Sequence, residues 1–145
     1  MPFTPFHIGP AVALLPSMRF RHWIMLLSGS LLIDFEPFLV VVLGFSGTAH
    51  GFSHSLIGAA LLALLIGCVG YFFFRRKISL KSAVLAALAG TWLHVFFDSP
   101  IYSDIMPFYP FSWNPLYGLM SPAEVGVLCI ALFFVAAAMF FLKKN

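Results

Sequence analysis

The residues able to do chemistry in this chain are few, and most of them stand among apolar neighbours. They are His7, Asp34, Glu36, His50, His54, His94 and Asp98. His94 and Asp98 are spaced i, i+4, which places them on one face of a helix. His50 and His54 share that spacing and share a face if the turn ahead of the second span is helical. Asp34 and Glu36 diverge on a helix. However, Pro37 disfavours helical geometry at Glu36 and supplies no N–H, so the spacing predicts an extended break in which i and i+2 face the same way. A charged side chain at mid-membrane costs roughly 2.5–3.5 kcal/mol, and these segments carry no Lys or Arg to pair with it. A bound cation neutralises such a cluster. Imidazole and carboxylate ligands without sulfur suit zinc first, then manganese or iron, and this many candidates leaves room for one ion or two. Cys68 and Cys129 lie in separate apolar runs and read as free thiols. His22, among Arg19 and Arg21, reads as a topology residue, and Asp104 as a loop cap or a neighbour of the site.

The elements that must position these residues follow from composition. Only 9% of the 145 residues are charged and 61% are apolar, against about 25% charged in an average soluble domain. That excludes an ordinary soluble enzyme, a disordered chain and a nucleic-acid binder, and leaves an all-α integral membrane protein. One membrane domain over 1–145 is expected. It holds a broken span at 23–45, further spans at 55–74, 82–98 and 121–142, and a short half-helix or re-entrant segment at 7–18. Residues 46–53 read as a loop and 99–120 as an interfacial loop rich in Pro, Tyr and Trp. Ser121, Pro122 and Glu124 form a helix start, with Glu124 closing a capping box. The N-terminus lacks the basic region of a secretory signal and is interrupted by prolines.

The cations set the expected orientation. Arg19 and Arg21 precede the first span, Arg75, Arg76, Lys77 and Lys81 follow the second, and Lys143 and Lys144 follow the fourth. With four spans these clusters share one side, taken as cytoplasmic, and the cation-free loops 46–53 and 99–120 face outward. At about 1.5 Å per helical residue, Asp34 and His94 each lie roughly 20 Å from the nearest basic residue, Arg21 and Lys81, and His7 about 18 Å from Arg19. Three segments therefore bring polar residues to one level in the outer half of the bilayer.

The chain resembles the YdjM-like, LexA-regulated, membrane-bound predicted metal-dependent hydrolases. The resemblance rests on Phe6-His7, on Leu32-Ile33-Asp34-Phe35-Glu36-Pro37, and on His50-Gly51-Phe52-Ser53-His54-Ser55. It extends through Gly90-Thr91-Trp92-Leu93-His94-Val95-Phe96-Phe97-Asp98 and Pro107-Phe108-Tyr109-Pro110-Phe111-Ser112. Glu36 stands where the family often has Asp, and Pro37 where it often has His. The resemblance implies a four-helix membrane hydrolase with these acids and histidines as ligands. We expect His7, Asp34, His54, His94 and Asp98 to bind metal, Glu36 and His50 to serve catalysis, and Asp104, Ser55 and Thr91 to support the site or substrate. The expected setting is a bacterial or archaeal cytoplasmic (inner) membrane. The expected partners are membrane lipid and an amphiphilic substrate, a phospholipid or other lipid-linked phosphodiester or ester, and not nucleic acid. The alternatives are an intramembrane metal-ion or proton conduit and a small scaffold with a structural metal.

Overall fold

Serines begin three of the long helices of the computed structural model, which describes residues 8–75 and 77–144. Ser55 Oγ accepts the Gly58 N–H at 2.9 Å and Ser79 Oγ accepts the Ser82 N–H at 3.2 Å. Ser121 Oγ accepts the Glu124 N–H at 3.3 Å while the Glu124 carboxylate accepts the Ser121 N–H at 2.7 Å, the reciprocal capping box expected there. These caps open α4 (Leu56–Phe74), α5 (Leu80–Asp98) and α6 (Pro122–Lys144). Ahead of them run the short α1 (Ile8–Leu14), then α2 (Phe20–Leu32) and α3 (Phe35–Val41). Single 3-10 turns occupy Leu15–Ser17 and Phe52–His54. The described residues contain no strand, and four segments are long and apolar enough to cross a membrane: Phe20–Val41, Leu56–Phe74, Leu80–Asp98 and Pro122–Lys143.

The break in the first span differs from the extended geometry expected around Pro37. Ile33 and Asp34 form a turn, and α3 resumes at Phe35 with Glu36 and Pro37 already helical. The first hydrogen bond of α3 runs from the Phe38 N–H to the Asp34 carbonyl at 3.0 Å. Pro37 thus sits in the first helical turn, where N–H groups have no intrahelical acceptor and a missing one costs nothing.

Glycines let the spans approach closely enough to bring their polar ends together. A Cβ on Gly90 of α5 would run into the Leu26 carbonyl and Ser30 amide of α2, and one on Gly29 would strike the Ala87 carbonyl. These contacts set α2 and α5 side by side and parallel, with Asp34 and Asp98 at the same end. Gly67 of α4 meets Val84 of α5 in the same way. Small residues at helix interfaces are the membrane solution to packing, since lipid supplies no hydrophobic drive between helices. The core here is Met25 and Ile66 set among Ala63, Ala83, Ala86 and Ala87. Helix α1 joins α6 to this bundle, with Gly9 against the Cys129 backbone. At the other end of α6, Lys143 Nζ donates to the Pro16 carbonyl at 2.7 Å. Large side chains such as Phe72, Phe134 and Phe141 point outward.

Residues 99–121 fold over the end that carries the acids. Asn114 Nδ2 donates to the Ser99 carbonyl at 2.9 Å, and the Leu56 N–H donates to the Pro107 carbonyl at 2.9 Å, tying this loop to the start of α4. Cys68 and Cys129 are both free thiols.

Gly90→Ala is expected to cost about 1–3 kcal/mol through overpacking. Gly126→Ala, in open space on α6, should leave stability unchanged or slightly raised. Thermal unfolding of the two purified variants in detergent checks this; equal melting would contradict the close α2–α5 contact.

Candidate metal centre

Four side chains from three elements meet at the end of the bundle. Asp34 comes from the α2–α3 turn, His54 from the 3-10 turn before α4, and His94 and Asp98 from successive turns of α5. One ligand atom from each lies within 4.8 Å of all the others, and among the described residues this is the one His, Cys, Asp and Glu group able to hold a metal ion. His94 Nε2 is 3.1 Å from Asp34 Oδ1 and 3.0 Å from Asp98 Oδ2. His54 Nε2 is 3.7 Å and 3.9 Å from the same two oxygens. Both imidazoles and Asp98 are buried, whereas the Asp34 side chain is 21% exposed and marks the open side of the cluster.

Neighbouring groups fix which nitrogen of each ring faces inward. His94 Nδ1 lies 2.8 Å from the Ser30 carbonyl. A carbonyl only accepts, so Nδ1 carries the proton and Nε2 is turned toward the two carboxylates. A longer chain orients His54. The Ser53 hydroxyl donates to Glu36 Oε2, and the Ser53 N–H donates to the same oxygen at 3.1 Å. With its proton committed there, Ser53 Oγ accepts from His54 Nδ1 at 3.1 Å. That leaves the lone pair of His54 Nε2 facing the cluster, and this nitrogen is sealed from solvent without a hydrogen-bond partner. Burial holds the His54 imidazole below its usual pKa, in the neutral form that binds metal.

The donor set fits a divalent cation. Tetrahedral zinc with ligand bonds of about 2.0–2.1 Å separates neighbouring ligand atoms by about 3.3–3.4 Å. The four imidazole–carboxylate separations, 3.0 to 3.9 Å, bracket that value. A cation also resolves the burial of a nitrogen lone pair against carboxylate oxygens.

Glu36 stands behind His54, through Ser53, and a Cβ on Gly51 would run into its carboxylate. His50 pairs with Asp104, its Nδ1 3.0 Å from both carboxylate oxygens. The His50 ring lies edge-on to His54 with centroids 5.0 Å apart, so these two are neighbours although a bend and a 3-10 turn, not an α-helical turn, connect them. Tyr102 lies against the other face of His50 at 4.2 Å. Burial, helped by the charges of Asp98, Asp34 and Asp104, pushes its phenol up to about 12, so it stays protonated near neutral pH. Beside His50 and Asp104 opens a pocket of about 270 Å³ walled by Thr48, Phe52 and Tyr109. Ser55 borders this pocket, but its hydroxyl caps α4 and donates to the Phe52 carbonyl at 2.8 Å. The buried Thr91 hydroxyl donates to the Leu88 carbonyl of its own helix at 3.2 Å. His7 lies outside the described residues.

Sequence reasoning missed three contributors: Ser53, the Ser30 carbonyl and Tyr102. Ser53 carried a signal, being a hydroxyl residue between His50 and His54; a main-chain carbonyl carries none.

The sequence model of a family described as YdjM inner membrane protein matches residues 4–145. Among curated proteins and among solved structures nothing matches. With four apolar helices of spanning length, the family match makes this a multi-pass membrane protein.

Ser53→Ala removes the link that orients His54 while leaving all four ligands in place. It is expected to weaken zinc binding about 10- to 100-fold, the usual cost of losing an outer-shell partner. Competition titration against a chelator of known affinity measures this, and unchanged affinity would sever Ser53 and Glu36 from the site.

Proposed function

The chain belongs to the YdjM inner membrane protein family, and from that premise we propose that it is a metal-dependent hydrolase of the inner membrane. Its substrate is a phospholipid or another lipid-linked phosphodiester or ester, reached from the outer side. The observation that carries this reading is the cluster of two imidazoles and two carboxylates, with ring tautomers set by neighbours, Asp34 partly exposed, and a pocket beside the adjacent His50. Asp34, His54, His94 and Asp98 hold the ion, with zinc the best match to the donor set. A bound divalent cation supplies Lewis acidity, activating water near neutral pH and polarising a phosphoryl or acyl oxygen.

The chain's own groups do the rest. His50, its Nδ1–H held by Asp104, presents Nε2 as the proton acceptor and donor at the pocket. Glu36 acts through Ser53 to position His54, a role the geometry favours over direct proton transfer. Exposed Trp113, Tyr109, Tyr117 and Phe111 surround the same end and suit the interfacial belt of a membrane, where an amphiphile presents its head group. The cations gather at the opposite end, which supports the outward placement of the site. Against an ion conduit stands the α2–α5 seam below the cluster, built from Leu26, Gly29, Ala87 and Gly90 with no titratable group.

The test incubates zinc-loaded, detergent-solubilised protein with a panel of phospholipids and other lipid-linked phosphodiesters and measures head-group release by mass spectrometry. Release is expected to require metal. It should fall about 10²- to 10⁴-fold in His50→Ala, the usual span of a general acid–base group, with metal content unchanged. No release from any member of the panel by fully loaded protein would sink the hydrolase reading.

A further inference from the structure

A second polar site lies at the end of the bundle away from the metal cluster. The parallel helices α2 and α5 begin side by side there, next to the 3-10 turn Leu15–Ser17. Between them is a cleft of about 450 Å³ lined by Arg19, His22, Lys77 and three serines, Ser17, Ser79 and Ser82. Met18 and Ile78 supply its apolar lining.

Among the described residues, no carboxylate compensates the charge in this cleft. The chain has five carboxylate side chains. Asp34, Glu36, Asp98 and Asp104 surround the metal cluster, and Glu124 starts α6, whose far end places Lys143 on Pro16. Among the described residues no Arg or Lys stands within ion-pair distance of a carboxylate. His22 adds a buried Nδ1 without a hydrogen-bond partner. The serine hydroxyls are engaged in local bonds, Ser17 to the Leu14 carbonyl at 2.7 Å and Ser82 to the Ser79 carbonyl at 3.1 Å, so the cationic groups carry the recognition. The first turn of α2 has no side-chain cap and adds N–H groups to the positive end of its dipole.

We propose that this cleft binds a phosphate group. A guanidinium fork, an ammonium and an imidazole approach from two helix starts and the 75–81 loop, and a tetrahedral anion with several oxygens satisfies donors from such different directions better than a halide does. Exposed Phe20 and Leu80 flank the cleft, which sets it at the boundary where phospholipid phosphates stand. The phosphate comes either from an anionic head group of the surrounding leaflet or from solution. Neither source bears on the metal cluster, and the inference does not depend on the hydrolase reading.

Among the described basic residues, Arg19, His22 and Lys77 line the cleft, whereas Arg21 and Lys81, in the first turns of α2 and α5, do not. The test exploits that difference. Thermal stability of the full chain is measured in neutral detergent against inorganic phosphate, with chloride at matched ionic strength as reference. It is measured again in nanodiscs of phosphatidylcholine with and without phosphatidylglycerol. Saturable stabilisation is expected from phosphate, from phosphatidylglycerol, or from both. Phosphate alone identifies a soluble ligand, and phosphatidylglycerol alone a head group. Arg19→Ala/Lys77→Ala should weaken the stabilising interaction about tenfold or more, as expected for lost charge-assisted hydrogen bonds, while Arg21→Ala/Lys81→Ala, with the same change of charge, retains it. Should the double variant not fold, Arg19→Gln and Lys77→Gln are read singly in the same way. No stabilisation of the wild type by either probe, or equal loss in the Arg21/Lys81 control, would overturn the site and leave only diffuse surface charge.

Discussion

Two imidazoles and the Asp98 carboxylate are held out of water beside the partly exposed Asp34 at the end of an apolar bundle, and the surrounding structure is arranged around that cost. Asp34 and Asp98 place oxygens 3.0 to 3.1 Å from one imidazole nitrogen. Their ligand oxygens lie within 4.8 Å of each other, and two negative groups at that range repel more strongly as the local dielectric falls. Among the described residues no Arg or Lys answers them, and Arg19, Lys77 and Lys143 stand at the other end. A divalent ion held by all four side chains would remove the conflict directly. The same logic explains why the outer-shell groups are so fully committed. Ser30 and the Ser53–Glu36 pair each take one ring proton and turn the other nitrogen inward.

Backbone packing makes that geometry reachable. His94 Nδ1 meets the Ser30 carbonyl because Gly29 and Gly90 bring α2 and α5 into backbone contact one turn below. The turn at Ile33–Asp34 then lifts Asp34 off the axis of α2 and over the end of α5. The 3-10 turn Phe52–His54, held by the capped start of α4 and by the Pro107 carbonyl, brings in His54 from the third side. A helix–glycine contact, a broken span and a capped start each stand within a few residues of a cluster side chain, and together they join segments far apart in sequence.

Much of this was legible in the sequence because the background is apolar. Any carboxylate or histidine within such runs stands out, and the i, i+4 spacing of His94 and Asp98 already placed them on one face. Equal spacing of Asp34 and His94 from their basic residues put them at one depth, and the 3.1 Å between them agrees. What spacing could not show was tertiary. Pro37 argued for an extended Glu36, yet the turn before it had already released the N–H groups of the next helical turn, so proline fits there. His50 finds Asp104 across 54 positions, a pairing that depends on how the 99–121 loop folds back. The roles of Ser55 and Thr91 were decided by backbone carbonyls and amides, which are present at every residue and so mark none.

The cluster's claim on a metal ion is tested most directly by the metal content of purified full-length protein, measured by elemental analysis beside His94→Ala and Asp98→Ala. About one divalent ion per chain, lost in both variants, is the predicted result for a single four-ligand group. A folded wild-type protein that stays metal-free after exposure to zinc, manganese and iron would contradict it.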